Sequence, residues 1–307
     1  MDGNGTTCHR LPMAADAARC ANCGAQAPLA FVATDLNRRI TDEDFPYYRC
    51  AGCGLVFLHP IPGNLGRYYP SAYHEIPRSV DELLQRRRAE SYKLEAVGPG
   101  AGRRLLEIGP SFGAFAALAR QAGFDVQAIE MDEACCRFIS EVVGAPTEHT
   151  ADVRSALAGR GRYDVICMWH SLEHLPDPFD VLDELPKHVE PGGALFFATP
   201  NPESLQFRLF GKRWVHLDAP RHVNLIPHRV IEERLAKAGM RRVYFTGEDS
   251  GARECNLFGW ISSVRTSVPR WERSRFESLA WKLTVPFSRI LERGDRGAAY
   301  TIGFSKR

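Results

Sequence analysis

Three groups of residues in this 307-residue chain have types and spacings that can do chemistry. The first is Cys20-x-x-Cys23 together with Cys50-x-x-Cys53. Each C-x-x-C brings two thiolates to one side of a tight knuckle, and Gly24 and Gly54 follow at the turn. Four thiolates complete a closed tetrahedral shell for Zn²⁺, the mark of a structural rather than a catalytic site. Both pairs lie in turn-rich sequence instead of at the start of a βαβ unit, which argues against a redox dithiol. Cys8, Cys135, Cys136, Cys167 and Cys255 have no ligand spacing and read as small apolar residues.

The second group starts at Leu105-Leu106-Glu107-Ile108 and runs into Gly109-Pro110-Ser111-Phe112-Gly113. An apolar strand ending in a Gly-rich turn before a helix is a nucleotide site by position. Gly109 and Gly113 are expected to omit the Cβ that would keep a ligand off the backbone. The dinucleotide fingerprint GxGxxG is not met, because Ser111 and Ala114 stand where it needs glycine. A pyrophosphate is therefore poorly served, whereas a sulfonium nucleoside needs no phosphate cradle. Glu130 closes the next strand about twenty residues later, where an acid accepts hydrogen bonds from ribose hydroxyls. Asp152, after the third strand, reads either as a partner for the adenine amino group or as a helix N-cap.

The third group is Trp169-His170-Ser171-Leu172-Glu173-His174 at the end of a later strand. Imidazoles and a partly desolvated carboxylate titrate usefully near neutrality, so Glu173 and His174 are the candidates for a general base. Two readings stay open for them, chemistry or bracing of the loop. His170 reads as a hydrogen-bond partner of a cofactor carboxylate.

The elements that must position these groups follow from the pattern. Residues 1–18 are small, polar and aperiodic and read as a disordered tail. Residues 19–75 form a short-stranded cysteine module, and 76–98 a linking helix that Gly98-Pro99-Gly100 ends. Its Arg86, Arg87 and Arg88 read as a solvated face. Residues 99–250 alternate strand and helix, as a doubly wound α/β domain with a mostly parallel sheet does. Within them Pro191-Gly192-Gly193 reads as a turn into the strand Ala194 to Thr199. Residues 251–297 read as an added helical insertion and 298–307 as the last strand. Lys and Arg number 39 against 37 Asp and Glu, so no global field points to nucleic acid. No signal-peptide pattern or membrane-length apolar run is seen, which implies no membrane partner and a cytoplasmic setting.

The blocks LLEIGPSFGAF, VQAIE, YDVICMWHSLEHLPDP, KHVEPGGALFFATPN and WVHLDAPRHVNL, in this order, resemble class I S-adenosylmethionine-dependent methyltransferases. The group they are most similar to is the ubiquinone-biosynthesis O-methyltransferases and their relatives in natural-product (secondary-metabolism) and polysaccharide pathways. The likeness runs from about Arg103 to Phe245. It implies a seven-stranded Rossmann-like sheet and S-adenosylmethionine as cofactor. By the same resemblance Glu107, Gly109 and Gly113 hold the methionine portion and Glu130 the ribose, with Ser111 replacing a Gly of many relatives and Trp169 and His170 against the cofactor. The segment Phe207 to Asn224 resembles a substrate-covering loop. It brings His222 to the catalytic groups and Arg221 to the acceptor, and Trp214 either stacks on the acceptor or plugs the core. Tyr68 and Tyr69, in a stretch that resembles zinc-bearing relatives, are placed over the acceptor.

The expected function is methyl transfer to a small-molecule acceptor, with an oxygen nucleophile. The alternative within the same chemistry is carbon methylation of an alkene such as a prenyl diphosphate. Glu173 would then remove the proton, and Arg208, Arg213, Arg221 and His222 would meet the diphosphate. A different class, a nucleic-acid-binding zinc ribbon with a degenerate core, is opposed by the near-zero net charge. Acceptor identity and oligomeric state have no readable code.

Overall fold

The computed structural model describes residues 15–69, 76–86, 90–267 and 291–307. In the first part, short apolar runs broken by Gly, Asn and Pro form strands β1 (Ala17–Arg19), β2 (Gln26–Ala33), β3 (Phe45–Arg49) and β4 (Val56–Leu58). Helices α1 (Val80–Arg86) and α2 (Ser91–Val97) follow. From Arg104 buried apolar strands alternate with helices: β5 (Arg104–Ile108), α3 (Ala114–Gln121), β6 (Asp125–Glu130), α4 (Glu133–Phe138), β7 (Thr147–His149), α5 (Val153–Ala158), β8 (Tyr163–Trp169), α6 (Pro178–Glu184) and β9 (Val189–Pro200). The chain then gives α7 (Leu205–Phe210), β10 (Asn224–Leu225), α8 (His228–Lys237), β11 (Met240–Thr246), α9 (Ser250–Ser267) and β12 (Ala299–Lys306).

The large sheet has seven strands in the order β11-β12-β9-β8-β5-β6-β7. Pairings β5–β6, β5–β8, β6–β7 and β8–β9 are parallel, and β12 runs antiparallel to both its neighbours. Leu105 and Leu106 are fully buried and join separate core clusters on opposite faces of the sheet, as a central parallel strand requires. The chain moves outward from β5 to β6 and β7, then returns to the other side at β8. That reversal opens a crevice at the carboxyl ends of β5 and β8, where ligands of such sheets bind.

The smaller sheet is antiparallel, in the order β1-β2-β3-β4-β10. Its fifth strand comes from the segment after β9, so the N-terminal module is sewn into the larger domain. The two parts also share a core: Cys20, Tyr48, Leu55 and Phe57 pack in one cluster with Leu106, Ile108, Ile231 and Phe304.

Several boundaries differ from the sequence expectations. Ala17 and Ala18, assigned to the tail, are extended and pair with Pro28 and Ala27; burial of Ala18 holds them. The linking helix is two helices, and the segment between them, with Arg87 and Arg88, lies outside the described residues. Pro191-Gly192-Gly193 lies inside β9 as an irregularity, where the register with β8 shifts between Tyr163 and Val165. The added helix begins at Ser250; most of the rest of that insertion, the N-terminal tail before Ala15, and Cys8 and Tyr73 fall outside the described residues. Among the described residues no helix is long and apolar enough to cross a membrane.

Candidate functional site

The crevice holds a cavity of about 380 Å³ with two unlike walls. The first is the turn after β5 and the end of β6. Gly109, Ser111 and Gly113 all have positive φ, which bends the strand sharply into α3. The Ser111 N–H donates to Glu130 Oε2 at 2.9 Å, and Met131 and Asp132 N–H donate to Oε1 at 2.8 and 2.9 Å. Burial raises the Glu130 carboxyl, and these three amides oppose the rise. Gly109, Ser111, Glu130 and His170 line the cavity with Met131, Thr150, Ala151, Val153 and Leu175.

The glycines also serve the packing of the protein itself. A Cβ at Gly109 would lie 2.5 Å from the Ser171 Cβ, and one at Gly113 2.9 Å from Ile139 Cγ1. Both glycines allow the close approach of neighbouring protein segments, and Gly109 also lines the cavity. Ser171 Oγ donates to the Ile108 carbonyl at 2.8 Å and so joins the ends of β5 and β8.

Glu107 and Trp169 face the α2–α3 side of the sheet and, like Gly113, are absent from the cavity lining. Burial pushes the Glu107 carboxyl up to about 8, with Glu90 and Glu130 adding to the rise and Lys93 opposing it. Glu107 Oε2 and Trp169 Nε1 are buried without a partner. Orphaned groups of this kind cost about 1–3 kcal/mol each. Asp152 is exposed, and its carboxylate accepts from the Ser155 N–H and hydroxyl as the N-cap of α5. The same two bonds lower its pKa. Its neighbours Thr150, Ala151 and Val153 take the place in the lining that was expected of it.

The second wall joins distant parts of the chain. His170, with φ 53°, and His174 follow β8, and Tyr69 arrives from the N-terminal module. His174 Nδ1 is 2.9 Å from Tyr69 Oη and 3.1 Å from the Arg221 carbonyl. A carbonyl only accepts, so the proton sits on Nδ1 and Nε2 keeps its lone pair. Glu173 is fully buried, behind this wall and not on it. His170 Nδ1 is 3.6 Å from its Oε1, an ionic contact too long for a hydrogen bond. Burial would raise the Glu173 carboxyl, yet His170, His222 and His174 hold it at about 2. Burial would lower His170, and Cys255 and Glu173 raise it to about 10, although a third of its side chain meets solvent. Burial and the neighbouring His222 hold His174 at about 4.

Three residues expected to touch the acceptor do not line the cavity. Arg221 has no exposed surface, and its guanidinium is spent on Asp35, Asp218 and the Tyr68 carbonyl. Trp214 is a core plug against Phe207, its Nε1 donating to Gln206 Oε1. Tyr68 is buried edge-on against Phe45 and donates to Glu43. His222 stands behind His174, ring centroids 4.6 Å apart, with Nδ1 donating to the His216 carbonyl at 2.8 Å. Sequence reasoning missed Asp35 and Tyr47, which hold this wall from the module: Asp35 pairs with Arg221, and Tyr47 Oη donates to the His222 carbonyl at 2.8 Å. Only their place beside the cysteine pairs hinted at them.

At the module's other end four thiols converge. The Cys20 and Cys53 sulfurs are 3.6 Å apart, those of Cys23 and Cys50 3.4 Å, and all four lie within 4.8 Å of one another. The knuckles are alike. Gly24 N–H donates to the Cys20 carbonyl and Gly54 N–H to the Cys50 carbonyl, both glycines at positive φ. Burial pushes the Cys20 thiol up; against burial, the Cys53 amide and the Cys23 and Cys53 thiols bring Cys50 down to about 7. Helix α8 clamps both knuckles, Arg234 on Asn22 and Arg229 on the Cys53 carbonyl.

A family model described as a methyltransferase domain matches residues 72–244. The chain is 33% identical over 149 residues to a ubiquinone biosynthesis O-methyltransferase of Bordetella avium, covering 46% of this chain and 62% of that one. A protein of the same name from Acinetobacter baylyi is 30% identical over 131 residues, covering 39% and 54%. The chain thus spans 62% or less of the length of these curated relatives. The crystal structure of a SAM-dependent methyltransferase from Archaeoglobus fulgidus aligns with TM-score 0.47 and 19% identity, covering 74% of this chain and 95% of that one.

Proposed function

The chain belongs to the methyltransferase-domain family, and from that premise we propose that it moves the methyl group of S-adenosylmethionine to a hydroxyl of a small-molecule acceptor. The observation that carries this reading is Glu130. It lies at the carboxyl end of β6, faces the cavity, and has both oxygens fixed by backbone amides, so one lone pair, on Oε2, remains for a ribose hydroxyl. The adenine belongs among Met131, Thr150, Ala151, Val153 and Leu175. The ammonium of the methionine end belongs on the orphaned Glu107 Oε2. When bound, the cofactor supplies a methyl group on a sulfonium, an already activated leaving group.

The protein must then align the acceptor and relieve it of a proton. Alignment supplies roughly 7–11 kcal/mol in favourable cases. The acceptor belongs against His170, His174 and Tyr69, and its proton is the business of the Glu173–His174–His222 cluster behind them. The hydroxyl is favoured by the name of the curated relatives, and natural-product or polysaccharide intermediates are the class we infer. Carbon methylation of a diphosphate ester has less to rest on, because Arg221, one of the groups expected to meet the diphosphate, is saturated inside the protein. We assign a structural Zn²⁺ to Cys20, Cys23, Cys50 and Cys53. Zn–S bonds of about 2.3 Å give tetrahedral edges of about 3.8 Å, close to the two thiol separations above.

The test is incubation of the purified chain with methyl-labelled cofactor and a panel of phenols, sugars and prenyl diphosphates, with products identified by mass spectrometry. A labelled methyl ether is expected. Label found only on carbon would move the reading to the alternative, and no transfer to any member of the panel would count against a small-molecule acceptor.

A further inference from the structure

The two orphaned side chains on the α2–α3 side of the sheet lie beside a buried cation. Leu105, Cys167 and Trp169 pack on that face, and Glu107, opposite Cys167 in register, shares it by strand alternation. Lys93 of α2 is only 8% exposed. Its Nζ stands 5.4 Å from the Trp169 ring centroid and 5.9 Å from those of Tyr92 and Phe115, a cage of three aromatic rings. It is paired with Glu90, and its charge reaches Glu107, whose rise it opposes. Glu107 Oε2 nonetheless has no hydrogen-bond partner. A lysine stem is long enough to carry its ammonium to water, and lysines are seldom buried. This one turns inward, to the place where the methionine end of the cofactor belongs. The cavity is lined by Gly109, Ser111 and Glu130 but stops short of Glu107, Gly113 and Trp169. Its nucleoside half is open and its amino-acid half is closed.

We propose that Lys93 is an internal competitor for the methionine end of the cofactor, filling that subsite in the empty protein and leaving it when the cofactor enters. The proposal rests on the methyl-transfer reading and specifies what the cofactor must displace. Helix α2 stays in place. Tyr92 stands edge-on to Trp169, centroids 6.3 Å apart, and fits against Gly251, where a Cβ would lie 2.5 Å from its ring. The flexible four-carbon stem of Lys93 can swing by itself. The Glu90 side chain keeps 17% of its surface in solvent, so the pair has a path to water. The exchange is cation for cation, and it is unequal. The α-ammonium of the cofactor reaches Glu107 Oε2, which Lys93 leaves unused. Lys93 thus lowers the apparent affinity of every ligand that needs the subsite, and leaves a nucleoside that ends at sulfur unaffected.

The experiment compares two ligands by calorimetry on wild-type chain and Lys93→Ala. One is S-adenosylhomocysteine; the other is 5′-methylthioadenosine, a nucleoside thioether without the amino-acid portion. In the variant the affinity ratio should shift toward S-adenosylhomocysteine by about tenfold or more, because a competent state populated at about 10% or less lowers apparent affinity by that factor. Unchanged binding of methylthioadenosine verifies folding. A ratio that stays constant, or shifts the other way because Lys93 holds the cofactor, overturns the proposal. A second arm uses wild-type chain alone, so it decides even where the variant does not fold. Acetic anhydride should acetylate Lys93 slowly in the empty and methylthioadenosine-loaded chain, and severalfold faster with S-adenosylhomocysteine bound, as read by peptide mass spectrometry. Equal or slower labelling with S-adenosylhomocysteine overturns the proposal as well. If either arm fails while wild-type chain binds both ligands, the displacement of Lys93 alone has failed. If wild-type chain binds neither, the methyl-transfer reading falls with it.

Discussion

The two walls of the cavity are built in opposite ways. The wall on β5 and β6 is local: the Ser111 amide joins a turn of five residues to one acid at the next strand end, which the two amides after it hold in place. The facing wall needs Tyr69 from the N-terminal module, His174 after β8 and His222 from the loop before β10. It is held by a buried ion triad that spans the chain from Asp35 to Arg221. The first wall is made by the ends of neighbouring strands of one sheet. The second stands only while the cysteine module is folded against the core. Cofactor binding and acceptor activation are therefore expected to fail separately.

Removing a thiol ligand should have the largest effect. Cys50→Ser should release the four-thiol metal and abolish methyl transfer, because metal binding and folding are one equilibrium in small sites. Scanning calorimetry should show one transition at a much lower temperature, since the module and sheet share a core cluster. Two transitions, with the upper one unshifted, would mean that the sheet holds together without the module.

Next comes Arg221→Met, which strands Asp35 and Asp218 as buried, unpaired charges. The expected loss is about 3–5 kcal/mol of stability, read by urea unfolding. Replacing all three charged residues by apolar ones of similar volume should recover much of it. Below the new midpoint, transfer should be lost while the cofactor still binds. Loss of both together would erase the distinction between the walls.

Gly109→Ala probes the first wall. Its Cβ meets Ser171 and the backbone is at positive φ, so overpacking should cost about 1–3 kcal/mol. Ser171→Gly in the same chain should relieve the clash but not the backbone strain. A full rescue would show that φ is not limiting there.

The smallest effect is a pH dependence of cofactor affinity. Glu107 is held at about 8 by burial, with Glu90 and Glu130 adding to it and Lys93 opposing. Below that pH it must lose a proton to receive the ammonium, so affinity should rise up to about tenfold per pH unit, at about 1.4 kcal/mol per unit, until pH 8. The ligand's own α-amino group loses its charge near the same value, about 7.7–8.0, so affinity should peak there. Titrations in buffers of different ionisation enthalpy should show proton release on binding at pH 7. In Glu107→Gln that release and the rise should vanish, and their persistence would assign the proton to another group.

The difference between the walls also explains what could be read from the sequence. Runs such as Leu105-Leu106-Glu107-Ile108 announce buried parallel strands, and the offset from Gly109 to Glu130 follows from the length of one βαβ turn. The four thiols were legible because their spacing is local. Arg221 was misplaced because a basic residue in a loop looks available until Asp35 and Asp218 are seen to enclose it. Gly109 was identified correctly as a site needing no Cβ, but one reason for it, Ser171, lies a full crossover away. The strand β10 that completes the small sheet has only two residues, too few for any periodicity.

The central claim is tested most directly by titrating S-adenosylhomocysteine into wild-type chain and Glu130→Ala in a calorimeter. One equivalent should bind to wild type. The variant should bind roughly tenfold to a hundredfold more weakly, as expected when a hydrogen bond to a charged group, worth about 1.5–3 kcal/mol, is lost. Equal affinity in the two chains, or binding of NAD with none of S-adenosylhomocysteine, would contradict the account.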